Sequence, residues 1–170
     1  LHAVEQRTFD FDGDFTAVWW TFEGLPSNAE LKVNSVRMAR VDGDGNVYMV
    51  RQFRYAIGEE IWELPAGKLE AGEDPFEAAK RELGEECGLT ADHFTDLGVV
   101  YPTVGYDSER IYIWAATGLH PAAQHLDEDE FLDVVKMPLE KALALVLDGT
   151  IRDSKTQVGL MKYALLRGKA

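Results

Sequence analysis

Only one of the 170 residues is cysteine, Cys87, so no disulfide can form within the chain and the fold must rest on packing. Positive charge is scarce. Against 30 aspartates and glutamates stand 17 lysines and arginines, a formal net charge of −13. Nucleic-acid binding needs clustered lysine and arginine, so that partner is excluded as the main one, and an anionic ligand would need a metal and a local basic pocket. No apolar run approaches ~20 residues and no basic-then-apolar leader is visible, so neither a membrane span nor a signal peptide is expected. A reducing cytoplasm is the expected compartment. Because the chain begins at Leu1 rather than Met, its numbering is expected to omit the true N-terminus. Repeats and low-complexity tracts are also missing, and 46% hydrophobic content fits one globular domain with an adequate core.

Strand-like patterning dominates the first half. The runs VEQRTFDF and FTAVWWTFE, separated by Asp12, Gly13 and Asp14, read as a hairpin over residues 4–23. LKVNSVRMARV and NVYMVRQFR flank DGDGN at 42–46, a second hairpin turn. That turn has a faint calcium-loop look, but the twelfth position of such a loop would be Phe53 instead of glutamate. Shorter strands are expected at 61–64, 95–101, 109–117 and 131–137. A helix follows from near Pro138 to Gly149, with Leu139, Ala142, Leu143, Val146 and Leu147 as its stripe. The last helix is expected from about Ser154 to Leu166, with Val158, Met161, Leu165 and their neighbours as its apolar face. Strands interrupted by one helix and finished by two predict an α/β (α+β) sandwich with mixed strand pairing.

The densest information lies in GKLEAGEDPFEAAKRELGEECGL, residues 67–89. Asp74 as N-cap, Pro75 at the first helical position and Glu77 three residues after the cap announce a helix that stops near Gly88. At ~100° per residue Phe76, Ala79, Leu83 and Cys87 share one stripe. Cys87 on that stripe reads as a small core residue rather than a nucleophile. Glu82, Glu85 and Glu86 fall on another stripe beside Arg81. Glu82 and Glu86 repel at i,i+4, and all three acids sit toward the negative end of the helix dipole, each conflict costing from a few tenths to roughly 1 kcal/mol. Something cationic is expected to offset them. The spacing fits two readings, a half-shell of carboxylates for a hard divalent cation and a solvated acidic face.

The segment resembles the signature of the Nudix hydrolases: a glycine, five residues, a glutamate, seven residues, then Arg-Glu-apolar-x-Glu-Glu-x-Gly-apolar. Gly67, Glu73, Arg81, Glu82, Leu83, Glu85, Glu86, Gly88 and Leu89 fill every fixed position. The resemblance implies a Nudix-type α/β/α sandwich with a mixed β-sheet, here carrying an N-terminal β-hairpin extension. It also implies a Mg²⁺ cofactor, with Mn²⁺ as a substitute. By carry-over Glu82 and Glu86 are the main metal ligands, Glu85 is a ligand or the base, and the backbone carbonyl of Ala66 completes the shell. Gly67 would permit the backbone geometry of its turn and close approach to the ion. Arg81 would hold Glu73 and the neighbouring acids in place.

Within that family the chain looks most like the ADP-ribose and nucleoside diphosphate sugar pyrophosphatases. RQFR at 51–54, ELPAG at 63–67 and YPTVGYDSERIYI at 101–113 carry this second resemblance, together with the acidic HLDEDEF at 125–131. In that subgroup a late glutamate on a mobile loop serves as base or extra ligand, a place that Glu128 or Glu130 fits; the bland reading is a solvated acidic loop. Arg54 and Arg51 suit diphosphate oxygens, since a guanidinium fork matches phosphate. Trp19, Trp20, Phe22 and Tyr106 are available for base stacking, although Trp19 and Trp20 point to opposite faces of a strand. The subgroup is commonly dimeric, which implies a homodimer with exchanged N-terminal strands: residues 1–26 as dimerisation element and 27–170 as the Nudix hydrolase domain. EGLPSNAELKVNSV lacks the basic residues and the His-Pro-Gly segment usual in ADP-ribose hydrolases, and PTVG stands where Pro-Ser-Pro-Gly is commoner. Base and sugar therefore stay open, while the diphosphate chemistry does not. The expected activity is Mg²⁺-dependent cleavage of ADP-ribose or a related nucleotide sugar to a nucleoside monophosphate and a sugar phosphate. The alternatives are a non-catalytic sensor of such ligands and a Nudix hydrolase of other nucleotides.

Overall fold

The computed structural model describes residues 3–11, 15–22, 34–54, 56–104, 109–122 and 133–168; the side chains before Ser35 and those of Glu86 and Asp133 lie outside the description. The chain divides into two units, Leu1–Leu31 and Lys32–Ala170. In the first, β1 (Ala3–Phe11) and β2 (Phe15–Phe22) pair antiparallel from Ala3 opposite Phe22 to Phe11 opposite Phe15, with a register shift between Ala3 and Glu5.

The second unit is built on β3 (Asn34–Val41) and β4 (Asn46–Arg54), joined by the DGDGN turn. Asp42 makes that turn: its Oδ1 accepts from the backbone N–H of Asp44 at 3.0 Å and of Asn46 at 2.9 Å, and Gly45 takes φ 81°. The two strands then part company. They pair only at Val41 and Val47 before β3 turns to other partners. It runs parallel to β8 (Arg110–Pro121) and antiparallel to β6 (Ala66–Lys68), while β4 takes β5 (Glu59–Glu63) and β9 (Asp133–Pro138). With β7 (Leu89–Val100) beyond β8, the path reads β5-β4-β3-β8-β7, and the mixed pairing is as expected. Because β3 and β4 diverge, β6 rather than β4 lies against Ser35, Val36 and Arg37.

Alternation along the central strands sends side chains into two cores. Val36 and Met38 of β3 meet Ala78, Ala79 and Leu83 of α1 (Pro75–Cys87) on one face. On the other, Ala39, Val41, Ile111 and Ile113 pack with Leu139, Ala142 and Leu160 of α2 (Leu139–Leu147) and α3 (Ser154–Arg167). This is an α/β/α sandwich.

Several expectations are corrected. β5 ends at Glu63 and not Leu64, whose N–H goes instead to the Thr156 hydroxyl at 2.8 Å. β7 begins at Leu89, six residues earlier than expected, as an edge strand whose exposed Thr90, Asp92, His93 and Thr95 hide its pattern. The buried face of α3 is Thr156, Gly159 and Leu160, while Met161 and Leu165 are exposed. The reason is Gly159: a Cβ there would stand 2.6 Å from Leu64 Cδ1, so the helix presses its glycine side onto the sheet. Leu147, assigned to the apolar stripe of α2, is also exposed. Cys87 is half-buried, with its Sγ accepting from Nη1 of the fully buried Arg40, so the end of the α1 stripe is polar.

Candidate functional site

The motif folds as a strand, a loop and a helix. Asp74 caps α1, accepting from the N–H of Phe76 at 2.9 Å and of Glu77 at 3.2 Å, with Pro75 in the first turn. Glu77 does not turn back to the cap; its carboxylate pairs with Lys80 at 2.7 Å. Gly88 closes the helix in the left-handed region at φ 58°, where a side chain would be strained.

β6 brings Gly67 against α1, and Glu82 projects from the helix onto it. A Cβ on Gly67 would lie 1.7 Å from Glu82 Cδ. The glycine is therefore what leaves room for the Glu82 carboxylate in this position. Gly67 lies in a short strand opposite Val36, with no left-handed backbone angle, which corrects the expectation that it serves the geometry of a turn. Glu82 is buried in this cradle, and Glu85 is half-exposed beside it.

Arg81 ties the acids together. Its Nη1 donates to Glu82 Oε1 and to Glu85 Oε2, both at 2.8 Å. Its Nε and Nη2 grip both oxygens of Glu73 at 2.9 and 3.0 Å, and Nη2 reaches the Lys68 carbonyl at 3.2 Å. Glu73 in turn accepts from the Glu70 N–H at 2.9 Å, so one guanidinium fastens the whole 68–73 loop to the helix. The Arg81 bond holds the Glu73 carboxyl below its ordinary range, and the surrounding acids push Arg81 further up.

Two acidic side chains brought to one cation, one of them in a cradle shaped by glycine, form a set of hard oxygen donors that suits a hard divalent ion. Among the described residues no three His, Cys, Asp or Glu side chains form a metal group, and the Glu86 side chain lies outside them. Glu128, Glu130 and Tyr106 also lie outside the described residues; Trp19 and Trp20 are placed as backbone in β2, opposite Arg7 and Gln6.

The two arginines of RQFR part. Arg51 turns to Glu60 at 2.5 Å and stands 5.3 Å over the Trp62 ring. Arg54 joins a cluster to which the sequence reading assigned no role. Its Nε and Nη2 donate to the two oxygens of Glu63 at 2.5 and 2.7 Å. Glu63 is 1% exposed and also accepts from Arg37 Nη1 at 2.7 Å, which donates to the Leu64 carbonyl at 3.1 Å. Burial would raise the Glu63 carboxyl, but the Arg54 bond and the two guanidinium charges pull it below its ordinary value; the same bond raises Arg54. Asp153 caps α3 through Thr156, whose hydroxyl then holds the Leu64 N–H. The available signal was Arg37 itself: a charge in a strand covered on both faces needs a buried partner.

Comparison with known proteins places the chain in a family. The NUDIX domain model matches residues 31–156. An ADP-ribose pyrophosphatase of Bacillus subtilis is 40% identical over 133 residues, 77% of this chain and 72% of that protein. A methanol dehydrogenase activator of Bacillus methanolicus is 37% identical with the same coverage, and a GDP-mannose pyrophosphatase of Yersinia pestis is 36% identical over 130 residues, 71% of this chain and 64% of that one. A crystal structure of an ADP compounds hydrolase superposes with TM-score 0.73 at 24% identity, covering 97% of this chain and 86% of that one, which is a likeness of fold. With every fixed position of the motif filled and most of its length matched by the family model, the chain belongs to the NUDIX family.

Proposed function

We propose that the chain is a Mg²⁺-dependent pyrophosphohydrolase that cleaves ADP-ribose, or a related nucleoside diphosphate sugar such as GDP-mannose, to a nucleoside monophosphate and a sugar phosphate. The observation that carries this reading is the Glu82 carboxylate seated over Gly67 with Glu85 beside it, on a chain whose relatives include ADP-ribose and GDP-mannose pyrophosphatases. A bound divalent ion neutralises the diphosphate and lowers the pKa of water. Glu82, Glu85, Glu86 and the Ala66 carbonyl would hold it, and Mn²⁺ would be able to take the place of Mg²⁺. Arg81 keeps Glu82 and Glu85 on one side of the helix, and Arg54 meets a phosphate with its guanidinium. Glu85, Glu128 or Glu130 takes the proton from the attacking water. Trp19, Trp20 and Tyr106 supply the platform for the base. The N-terminal strands, residues 1–26, join two copies into a homodimer. With one cysteine and a strong negative charge, the enzyme works in the cytoplasm on a small molecule, without nucleic acid or membrane as partner.

Phosphatase-coupled phosphate release from ADP-ribose, GDP-mannose, UDP-glucose, NADH, diadenosine polyphosphates and dGTP, with and without Mg²⁺, tests the reading. Metal-dependent cleavage of one diphosphate sugar well above the rest is expected. If nothing is cleaved while ADP-ribose raises the melting temperature, the chain is a sensor.

A further inference from the structure

We propose that Glu63 is a positioning residue for substrate: a buried carboxylate that locks the guanidinium of Arg54 so that its Nη1 edge faces the diphosphate. This rests on the activity proposed above. Glu63 and Arg54 form a bidentate pair at 2.5 and 2.7 Å that uses Nε and Nη2 and leaves Nη1 for an outside ligand. The Arg54 side chain is 41% exposed while that of Glu63 is 1% exposed, so the pair spans from core to surface.

Glu63 is itself fixed from behind. Arg37 on β3 donates to its Oε2 and, from the same Nη1, to the Leu64 carbonyl. Thr156 at the start of α3 takes the Leu64 N–H, and the Pro65 carbonyl accepts from Met38 N–H at 3.1 Å. Every residue between Glu63 and Ala66 is thus pinned to β3 or α3, and the carboxylate has no freedom to follow a moving arginine. Charge adds to geometry. Two guanidiniums share the Glu63 carboxylate, and the neighbouring Asp153 is itself paired with Lys155 at 2.6 Å, so the cluster keeps one positive charge in surplus on a chain of net −13. A free surface arginine would lose rotamer freedom on meeting a phosphate, whereas this one is already held. In the low-dielectric side of the pair the planar fork also fixes direction, which a lysine would not.

Titration of the non-hydrolysable α,β-methylene analogues of ADP-ribose and GDP-mannose, and of methylenediphosphonate, into the full chain with Mg²⁺, followed by calorimetry, reads binding without turnover. Glu63→Gln is expected to weaken the ligand that the wild type binds by about fivefold to tenfold, the size of one lost pre-ordered side chain. Arg54→Ala is expected to lose at least as much, and adding Glu63→Gln to it is expected to change nothing further. Wild-type affinity in Glu63→Gln, or a loss that adds in full to that of Arg54→Ala, overturns the proposal. If Glu63→Gln does not fold, Arg54→Lys decides, because it keeps the charge and loses the fork: binding as weak as in Arg54→Ala supports the proposal and wild-type binding overturns it. A wild-type chain that binds none of the three ligands overturns the substrate reading and this inference together, whereas failure in Glu63→Gln or Arg54→Lys alone leaves the substrate reading standing.

Discussion

Glu82 occupies the volume that a side chain on Gly67 would need, its Cδ lying 1.7 Å from where a Cβ would be. The clash is with the far end of a flexible side chain and not with backbone, so the fold can absorb an alanine by swinging the carboxylate away. Gly67→Ala is therefore expected to leave the melting temperature close to wild type while lowering kcat/KM by about 100-fold, the scale of a ~1 Å misplacement at a reacting centre. Steady-state kinetics beside a thermal melt would check this. Wild-type turnover would mean that Glu82 does not act from this cradle.

Arg81 carries a different burden. It pairs with Glu73, Glu82 and Glu85 at once and holds the 68–73 loop, so Arg81→Ala leaves three acids without their shared cation. A stability loss of about 1–3 kcal/mol is expected in urea unfolding. Arg81→Lys should recover only part of it, since an ammonium cannot grip both Glu73 oxygens while reaching Glu82. An unchanged urea midpoint in the alanine variant would contradict the role.

How far the sequence reached follows from which interactions are local. The cap at Asp74, the stop at Gly88 and the acidic stripe of α1 depend on neighbours within one or two turns, and the residues display them directly. The DGDGN turn does so for the same reason. Glu63 and Arg37 are 26 positions apart and meet only because β3 and β4 diverge after one bridge, which no local pattern announces. The early start of β7 was hidden by its place at the sheet edge, where exposed polar residues alternate without an apolar signal. The stripe of α3 was misjudged because Gly159 and Thr156, neither strongly apolar, are what the sheet accepts.

Leu160 is fully buried against the sheet, so Leu160→Ala is expected to cost about 2–5 kcal/mol. Leu165 is 67% exposed, and Leu165→Gln should stay within about 0.5 kcal/mol of wild type. Chemical unfolding of the two variants side by side distinguishes the faces. The opposite ranking would restore the stripe that simple helical periodicity picks out.

The DGDGN turn makes stability depend on acid pH in a defined window. Partial burial opposes ionisation of Asp42, but bonds from Lys136 and Asn46 outweigh it and bring its pKa from 3.8 to about 2. A carboxyl whose folded pKa is depressed contributes stability that is fully present above its unfolded value and fades as pH falls through the folded one. Wild type should therefore exceed Asp42→Asn in urea midpoint by a constant margin well above pH 3.8, and the margin should close as pH drops from 3.8 to about 2. Comparing the two chains removes the contribution of every other carboxyl, because those titrate in both. A margin that stays constant across that window would show that the Asp42 charge contributes nothing to the turn and that its hydrogen bonds, which asparagine can partly replace, suffice.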